Sequence, residues 1–371
     1  MRRRSDPRGA DRRRAPPGRP FGPAVVTGCR RVVVLPDKFR GTLTAGTVAS
    51  AVTRALVRLD PSLDILAMPL SDGGQGTLDV LAAHRNARLR RARVTGPYGG
   101  TVEAAWAELP DGTAVVEAAE ACGWARAGAR PDPMRSTTRG VGELVALAVA
   151  AGHERIIVTI GDTVTLDGGL GAVEALSWTA VRADLRVAGD VEIGFADATR
   201  YFARQKGATE ADVPRLEARM RRLRERYRER TGRDVQTVRC GGSGGGLAGA
   251  LAALGARCAP GFTVMNELLD LAGPLARADL VITGEGRFDR TSLLGKGTYR
   301  LLTAVGGTAR SGLIAGSVDP AIGGVLGPGT VVVPFTDYRA TASEAIRDAE
   351  AILETAAADL ANALLKPGGR R

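Results

Sequence analysis

Four apolar runs in this chain each empty into a loop that carries both glycine and acid, and that recurrence limits the fold more than any other feature. Arg31-Val-Val-Val-Leu35 leads into Asp37-Lys38-Phe39-Arg40-Gly41, and Asp64 to Leu70 leads into Ser71-Asp72-Gly73-Gly74-Gln75-Gly76-Thr77. Ile156 to Ile160 leads into Gly161-Asp162-Thr163-Val164-Thr165-Leu166-Asp167-Gly168-Gly169, and Leu280 to Thr283 into Gly284-Glu285-Gly286-Arg287-Phe288-Asp289. Short β-branched runs bounded by turn residues read as buried strands. Thr44 is placed to cap a helix running to about Leu59, which makes Arg31 to Leu70 one βαβ unit.

Further strands are expected near Thr113 to Glu117, Arg155 to Ile160, Gly312 to Ala315 and Thr330 to Val333, with helical stretches between most of them. The alternation predicts an α/β protein with parallel sheets, and 371 residues suit two lobes. Forty-nine glycines, roughly double typical usage, fit a chain whose loops approach ligands closely. Residues 209–232 differ: they are strongly charged, with Val213, Leu216, Met220, Leu223 and Tyr227 spaced by threes and fours. That spacing predicts one long helix, capped by Thr209, whose apolar seam docks on the body or on a second subunit in a homodimer.

The net charge of +11 sits at the chain ends. Residues 1–31 hold ten Arg against Asp6 and Asp11, Lys366, Arg370 and Arg371 lie at the other end, and residues 32–365 are balanced. A nucleic-acid surface needs its basic patch within the fold, so no nucleic-acid partner is expected. Residues 1–29 are rich in Arg and Pro without an apolar run; they read as a disordered tail, no membrane segment is expected, and the protein is expected in the cytoplasm. Cys29, Cys122, Cys240 and Cys258 are scattered, with only His84 and His153 as nitrogen ligands, which indicates neither a zinc site nor a disulfide framework.

Ligands of open parallel sheets bind outside the carboxyl ends of the strands, so the four loops are expected to converge on one cleft. Cations beside the free amides of a helix start suit a carboxylate or phosphate, and acids in glycine loops suit magnesium or a hydroxyl. Together these meet the electrostatic needs of phosphoryl transfer, although neither the GxxxxGK(S/T) pattern nor a protein-kinase motif set is present. Gly241-Gly-Ser-Gly-Gly-Gly246, ahead of a helical stretch from Leu247 to Leu254, reads either as a phosphate cradle or as a flexible hinge.

At these residues the chain resembles the bacterial glycerate kinase family, which phosphorylates D-glycerate with ATP. The family's PD(S/K)FKG matches Pro36 to Gly41, its (L/A)DGGEGT matches Asp72 to Thr77, and its VTGP matches Val94 to Pro97. RTTxGxGE matches Arg135 to Glu143 with Ser136 interposed, FGxQKGA matches Phe202 to Ala208, and DLVITGEGxxDxQTxxGK matches Asp279 to Lys296. The chain departs from the pattern where the family loop GGSATNDGG reads GDTVTLDGG at Gly161 to Gly169, putting Leu166 in place of an amide. Gln75 stands for Glu, Arg139 and Val141 for Tyr and Thr, and Gly297-Thr298 for Ala-Pro. Between Asp167 and Gln205 the chain is shorter than the pattern and reads as lacking ACDVxNPLxG.

The resemblance implies two α/β lobes with mostly parallel sheets, one of Rossmann or flavodoxin type, and a cleft between them. Residues 30–80 with 276–371 would form one lobe and residues 81–275 an inserted second. ATP and Mg²⁺ are the implied cofactors, and glycerate or a similar small hydroxy acid the acceptor of the γ-phosphoryl group. Lys38, Asp72 and Asp167 are the expected catalytic residues, with Asp72 and Asp167 on magnesium. Arg40, Gly73, Gly74, Thr137 and Thr138 are expected on the substrate, and Gly284, Glu285, Gly286, Asp289 and Lys296 on the nucleotide. The altered loop leaves open a respecialised or catalytically degenerate homologue that binds a ligand or acts on another acceptor in a specialised pathway. Deleting residues 1–29 should leave the Tm unchanged; a fall of more than about 4 °C would show the tail docked on the fold.

Overall fold

The structure, a computed structural model, describes residues 31–39, 42–128, 131–294, 297–306, 308–327 and 329–365. Its strands are β1 Arg31–Pro36, β2 Asp64–Ala67, β3 Arg88–Thr95, β4 Thr101–Glu108, β5 Thr113–Glu117, β6 Arg155–Thr159, β7 Asp184–Gly189, β8 Arg257–Pro260, β9 Leu280–Phe288, β10 Arg310–Val318 and β11 Thr330–Pro334. The helices used below are α1 Ala45–Leu59, α2 Thr77–Arg85, α3 Arg139–Ala150, α4 Leu170–Ala175, α5 Asp212–Thr231, α6 Leu247–Ala253, α7 Gly261–Leu268, α8 Gly297–Val305 and α9 Ala349–Leu365.

The strands form two sheets. One has the order β11-β10-β9-β1-β2 and is parallel throughout. The other has the order β3-β4-β5-β6-β7-β8, antiparallel over its first three strands and parallel from β5 to β8. In chain order the second sheet falls between β2 and β9 of the first.

β1 reads as a continuous apolar run because both its faces are covered. Val32 and Val34 face a cluster with Val48, Val52 and Leu56 of α1 and Ile352, Leu353 and Leu360 of α9. Val33 and Leu35 face the other way, into a cluster that also holds Val115 of β5, Ile157 of β6 and Ala188 of β7. Leu78 and Leu81 of α2, Phe262 and Met265 of α7, and Leu301 of α8 fill that shared layer. Beyond the second sheet, Ala114, Val116, Ile156 and Val158 pack on Leu144 and Val145 of α3 and Leu247 and Leu251 of α6. The two sheets are therefore held by one common apolar layer rather than by a flexible linker. Thr44 caps α1 by accepting from the Thr47 amide, as its position predicts. Among the described residues no helix is long and apolar enough to cross a membrane.

Several local expectations are corrected. The segment Gly284 to Phe288 is not a loop: β9 continues through it, and Ser317 and Val318 of β10 pair with Arg287 and Phe288. Strands β3 and β4 were not expected; in β3, Arg88, Arg90, Arg91 and Arg93 break the apolar signal on an edge strand, where charge is tolerated and discourages edge pairing. Thr209 does not accept a hydrogen bond as a cap of α5; its amide and hydroxyl both donate to Asp212 instead. The seam of α5 docks on the body, where Leu216, Met220 and Tyr227 meet Leu166, Phe195 and Ala250.

The segment read as missing is represented. Ala188-Gly189-Asp190-Val191, at the end of β7, differs from the family's Ala-Cys-Asp-Val by one residue. A Cβ on Gly189 would lie 2.5 Å from the Cys240 Cβ, so the space a side chain would take there is already filled from the next loop. That loop, Gly241 to Gly246, is no hinge: a Cβ on any of its five glycines would fall within 3 Å of another atom.

Leu166 does not face a ligand. It is fully buried among Val173, Phe195, Leu216 and Met220, so apolar packing explains the residue. Leu166→Asn is expected to lower stability by about 2 to 5 kcal/mol, measured by denaturant unfolding, because it leaves a void and buries an unpaired amide.

Candidate functional site

The carboxyl ends of the parallel strands meet at a cleft, as open α/β sheets require. Asp37 and Lys38 follow β1, Asp72 follows β2, Asp162 follows β6 and Asp190 follows β7, while Glu285 lies in the extension of β9. They line a cavity of about 1010 Å³. A smaller cavity of about 560 Å³ lies beside it, lined by the start of α1, Gly74 to Gly76, Glu117 and Glu120. Asp37, Lys38, Asp72, Trp124 and Asp162 belong to the walls of both.

The loops are locked to one another. The Gly161 amide donates to Gly73 O at 2.9 Å, and a Cβ on Gly161 would meet Gly74 Cα at 2.5 Å. Gly73 and Gly76 both have φ of +94°, a backbone that glycine adopts without strain. α2 has no side-chain cap of its own. Glu117, at the end of β5, reaches across and accepts from the Gly76 amide at 3.1 Å and the Leu78 amide at 3.0 Å. Burial pushes the Glu117 carboxyl up to about 7, against the pull of those two amides. The carboxylate thus ties the Asp72 loop to the second sheet.

Among the described residues lining the cleft, acids outnumber cations. Burial and the neighbouring Asp72 raise Asp37 to about 7. Asp190 is raised to about 6 by burial, which outweighs Lys206, and its Oδ1 is buried with no hydrogen-bond partner among the described residues. An orphan buried acceptor of this kind calls for a ligand, ion or water. Lys206, only 6% exposed, donates from Nζ to Thr165 O at 3.0 Å, and burial lowers it to about 8 despite Asp190. Lys38 is ion-paired with Asp162 and also donates to Gln75 O at 2.8 Å; burial works to lower it, but Asp162 and Asp37 leave it raised.

Of the residues singled out in the sequence, Lys38, Asp72 and Gly74 line the cleft, as do Glu285, Gly286 and Asp289. Glu285 Oε2 accepts from Ser292 at 3.1 Å, and Asp289 Oδ1 accepts from the Thr291 amide at 2.8 Å. Gly73 lies under the loop and Gly284 within the strand pairing, where the Asp37 amide donates to its carbonyl at 2.7 Å. Asp167, Thr137 and Thr138 line neither cavity. The oxygens of Asp167 accept from the amides of Thr138, Gly169 and Gly171 and from the Thr138 hydroxyl, at 2.8 to 3.1 Å, joining the starts of α3 and α4. Arg40 and Lys296 lie outside the described residues, as does the tail 1–29.

Sequence reasoning passed over Asp162 as a site residue, and Asp190 and Lys206 altogether. Lys206 stood inside the FGxQKGA match, and Asp190 directly follows a strand that went unrecognised. Asp162 carried a signal only in the backbone, where its φ of +61° is unusual for a residue with a side chain.

Fold and cleft define a two-sheet α/β enzyme whose site is built from strand ends. The model of the glycerate kinase family matches residues 32–190 and 179–365. A glycerate 2-kinase of Escherichia coli is 34% identical over 302 residues, covering 72% of this chain and 79% of that protein. A glycerate kinase of Halalkalibacterium halodurans is 29% identical over 375 residues, covering 89% and 97%. The crystal structure of a putative glycerate kinase 2 from Salmonella typhimurium LT2 superposes with a TM-score of 0.69 at 28% identity, covering 91% of this chain and 98% of that one. The chain belongs to the glycerate kinase family, and it is a kinase.

Glu117→Gln should lower stability by about 1 to 3 kcal/mol, because an amide nitrogen would face a backbone N–H that has lost its acceptor. Unchanged unfolding would remove Glu117 from the role of cap.

Proposed function

We propose that the protein transfers the γ-phosphoryl group of ATP to a hydroxyl of a small hydroxy acid, with glycerate the first choice, in the cytoplasm. The observation that carries this reading is an unsatisfied buried carboxylate oxygen on Asp190, at the end of β7, on the wall of the same cavity as the buried ammonium of Lys206, which attracts it electrostatically. Phosphoryl transfer needs a positioned acceptor for the hydroxyl proton and a cation against the charge of the transferred group.

Asp190 accepts the proton of the attacking hydroxyl. Lys206, held by Thr165, supplies positive charge without reorganising, since burial fixes its Nζ. Asp37 is raised chiefly by burial, with Asp72 adding to it, and among the described residues no group of three or more His, Cys, Asp or Glu is placed to hold a metal ion, so Mg²⁺ would enter the cleft on the nucleotide. Mg²⁺, when bound, would neutralise nucleotide phosphate charge there. The larger cavity, with Glu285, Gly286 and Asp289, has room for the nucleotide. The family resemblance adds Lys296 on the nucleotide side and Arg40 on the acceptor side.

The degenerate-homologue reading rested on Leu166 and on a missing segment. Packing accounts for the first and β7 with Asp190 for the second, which favours an active enzyme. The test is ADP release from Mg-ATP against a panel of small hydroxy acids. Asp190→Asn should lower kcat by about 10² to 10⁴-fold with the Tm retained. A kcat within a factor of about three of wild type would remove Asp190 from proton transfer.

A further inference from the structure

Asp162 is held in a left-handed backbone conformation, φ +61°, at the second position of the loop that reads Gly-Gly in the family pattern. Aspartate tolerates this conformation better than most residues, but glycine adopts it freely. Its carboxylate is fixed on two sides. Oδ2 is ion-paired with Lys38 and accepts from the Gln75 amide at 3.1 Å, and a Cβ on Gly74 would lie only 2.6 Å from it.

Lys38 is the one cation among the described residues that line the smaller cavity; the remaining charged groups there, including Asp37, Asp72, Glu117 and Glu120, are acids. With 30% of its side chain exposed, Lys38 can be reached from the cleft. It stands on the wall common to both cavities, where an acceptor must lie next to a phosphoryl donor. An acceptor carboxylate that uses Lys38 thus finds an internal carboxylate already on it.

We propose that Asp162 is the acceptor-selectivity residue of this cleft, a built-in carboxylate that competes for Lys38 and narrows the advantage that hydroxy acids hold over uncharged hydroxyl compounds of the same shape. The proposal deepens the kinase reading and rests on it for the place of the acceptor. Two like charges cannot share one ammonium without cost, so the incoming acid must displace Asp162 or bind beside it at reduced affinity. Asp162→Gly removes the competitor and suits the backbone; Asp162→Asn removes the charge while keeping a side chain that the left-handed region tolerates.

The experiment is calorimetric titration of wild type and both variants with D-glycerate and with its neutral amide, D-glyceramide, beside ATP turnover on each. Asp162→Gly should tighten D-glycerate binding about ten-fold or more and Asp162→Asn in the same direction, while D-glyceramide affinity changes by less than about two-fold. Equal changes for both ligands, no gain for glycerate, or no glycerate binding to any of the three proteins would overturn the proposal. If the selectivity shift is found but no protein releases ADP, phosphoryl transfer fails while the role of Asp162 stands.

Discussion

The apolar layer between the two sheets is the constraint on which the rest depends. Val33 and Leu35 from one sheet, Val115 and Ile157 from the other, and the inward faces of α2, α7 and α8 share it. Because protein interiors are close-packed, neither sheet can turn against the other without opening voids. The strand ends are held at a fixed separation, and the cleft is a consequence of that layer rather than of any loop.

Two kinds of short-range device then bring the loops to register. Glu117 crosses from β5 to satisfy the first amides of α2, and the Gly161 and Gly73 backbones bond directly. Asp167 performs the corresponding service for α3 and α4. Glu117 and Asp167 each serve backbone amides beside a glycine loop, amides that have few other partners at a helix start. An acid beside paired glycines thus marks two different roles, and only its surroundings decide between them. Asp72 faces the cleft; Asp167, in the same sequence context, does not.

The charge distribution follows from burial. Asp37 and Asp190 are raised because the cleft removes water and gathers carboxylates, whereas Lys206 is lowered by the same loss of water. Opposed shifts of this kind cluster at functional sites. Lys38 differs, since its partner Asp162 restores by attraction what burial takes away.

The sequence by itself determined the α/β class, the βαβ opening, the cap at Thr44, the seam of the long helix and the family. Each is written in local periodicity, turn chemistry or ordered motifs. It also exposed Lys38, Asp72, Glu285 and Asp289 as residues near strand ends. It left hidden the strands whose apolar signal is diluted by Arg in β3 or shortened in β8, and with β7 unseen, Asp190 had no strand end to follow. Only the tertiary structure decided that Leu166 is core, that Asp167 is a cap, and that Asp162, Asp190 and Lys206 join the cleft. Those outcomes depend on which residues distant in sequence occupy the neighbouring space, and side-chain burial and pairing across 29 to 124 positions leave no local trace in the chain.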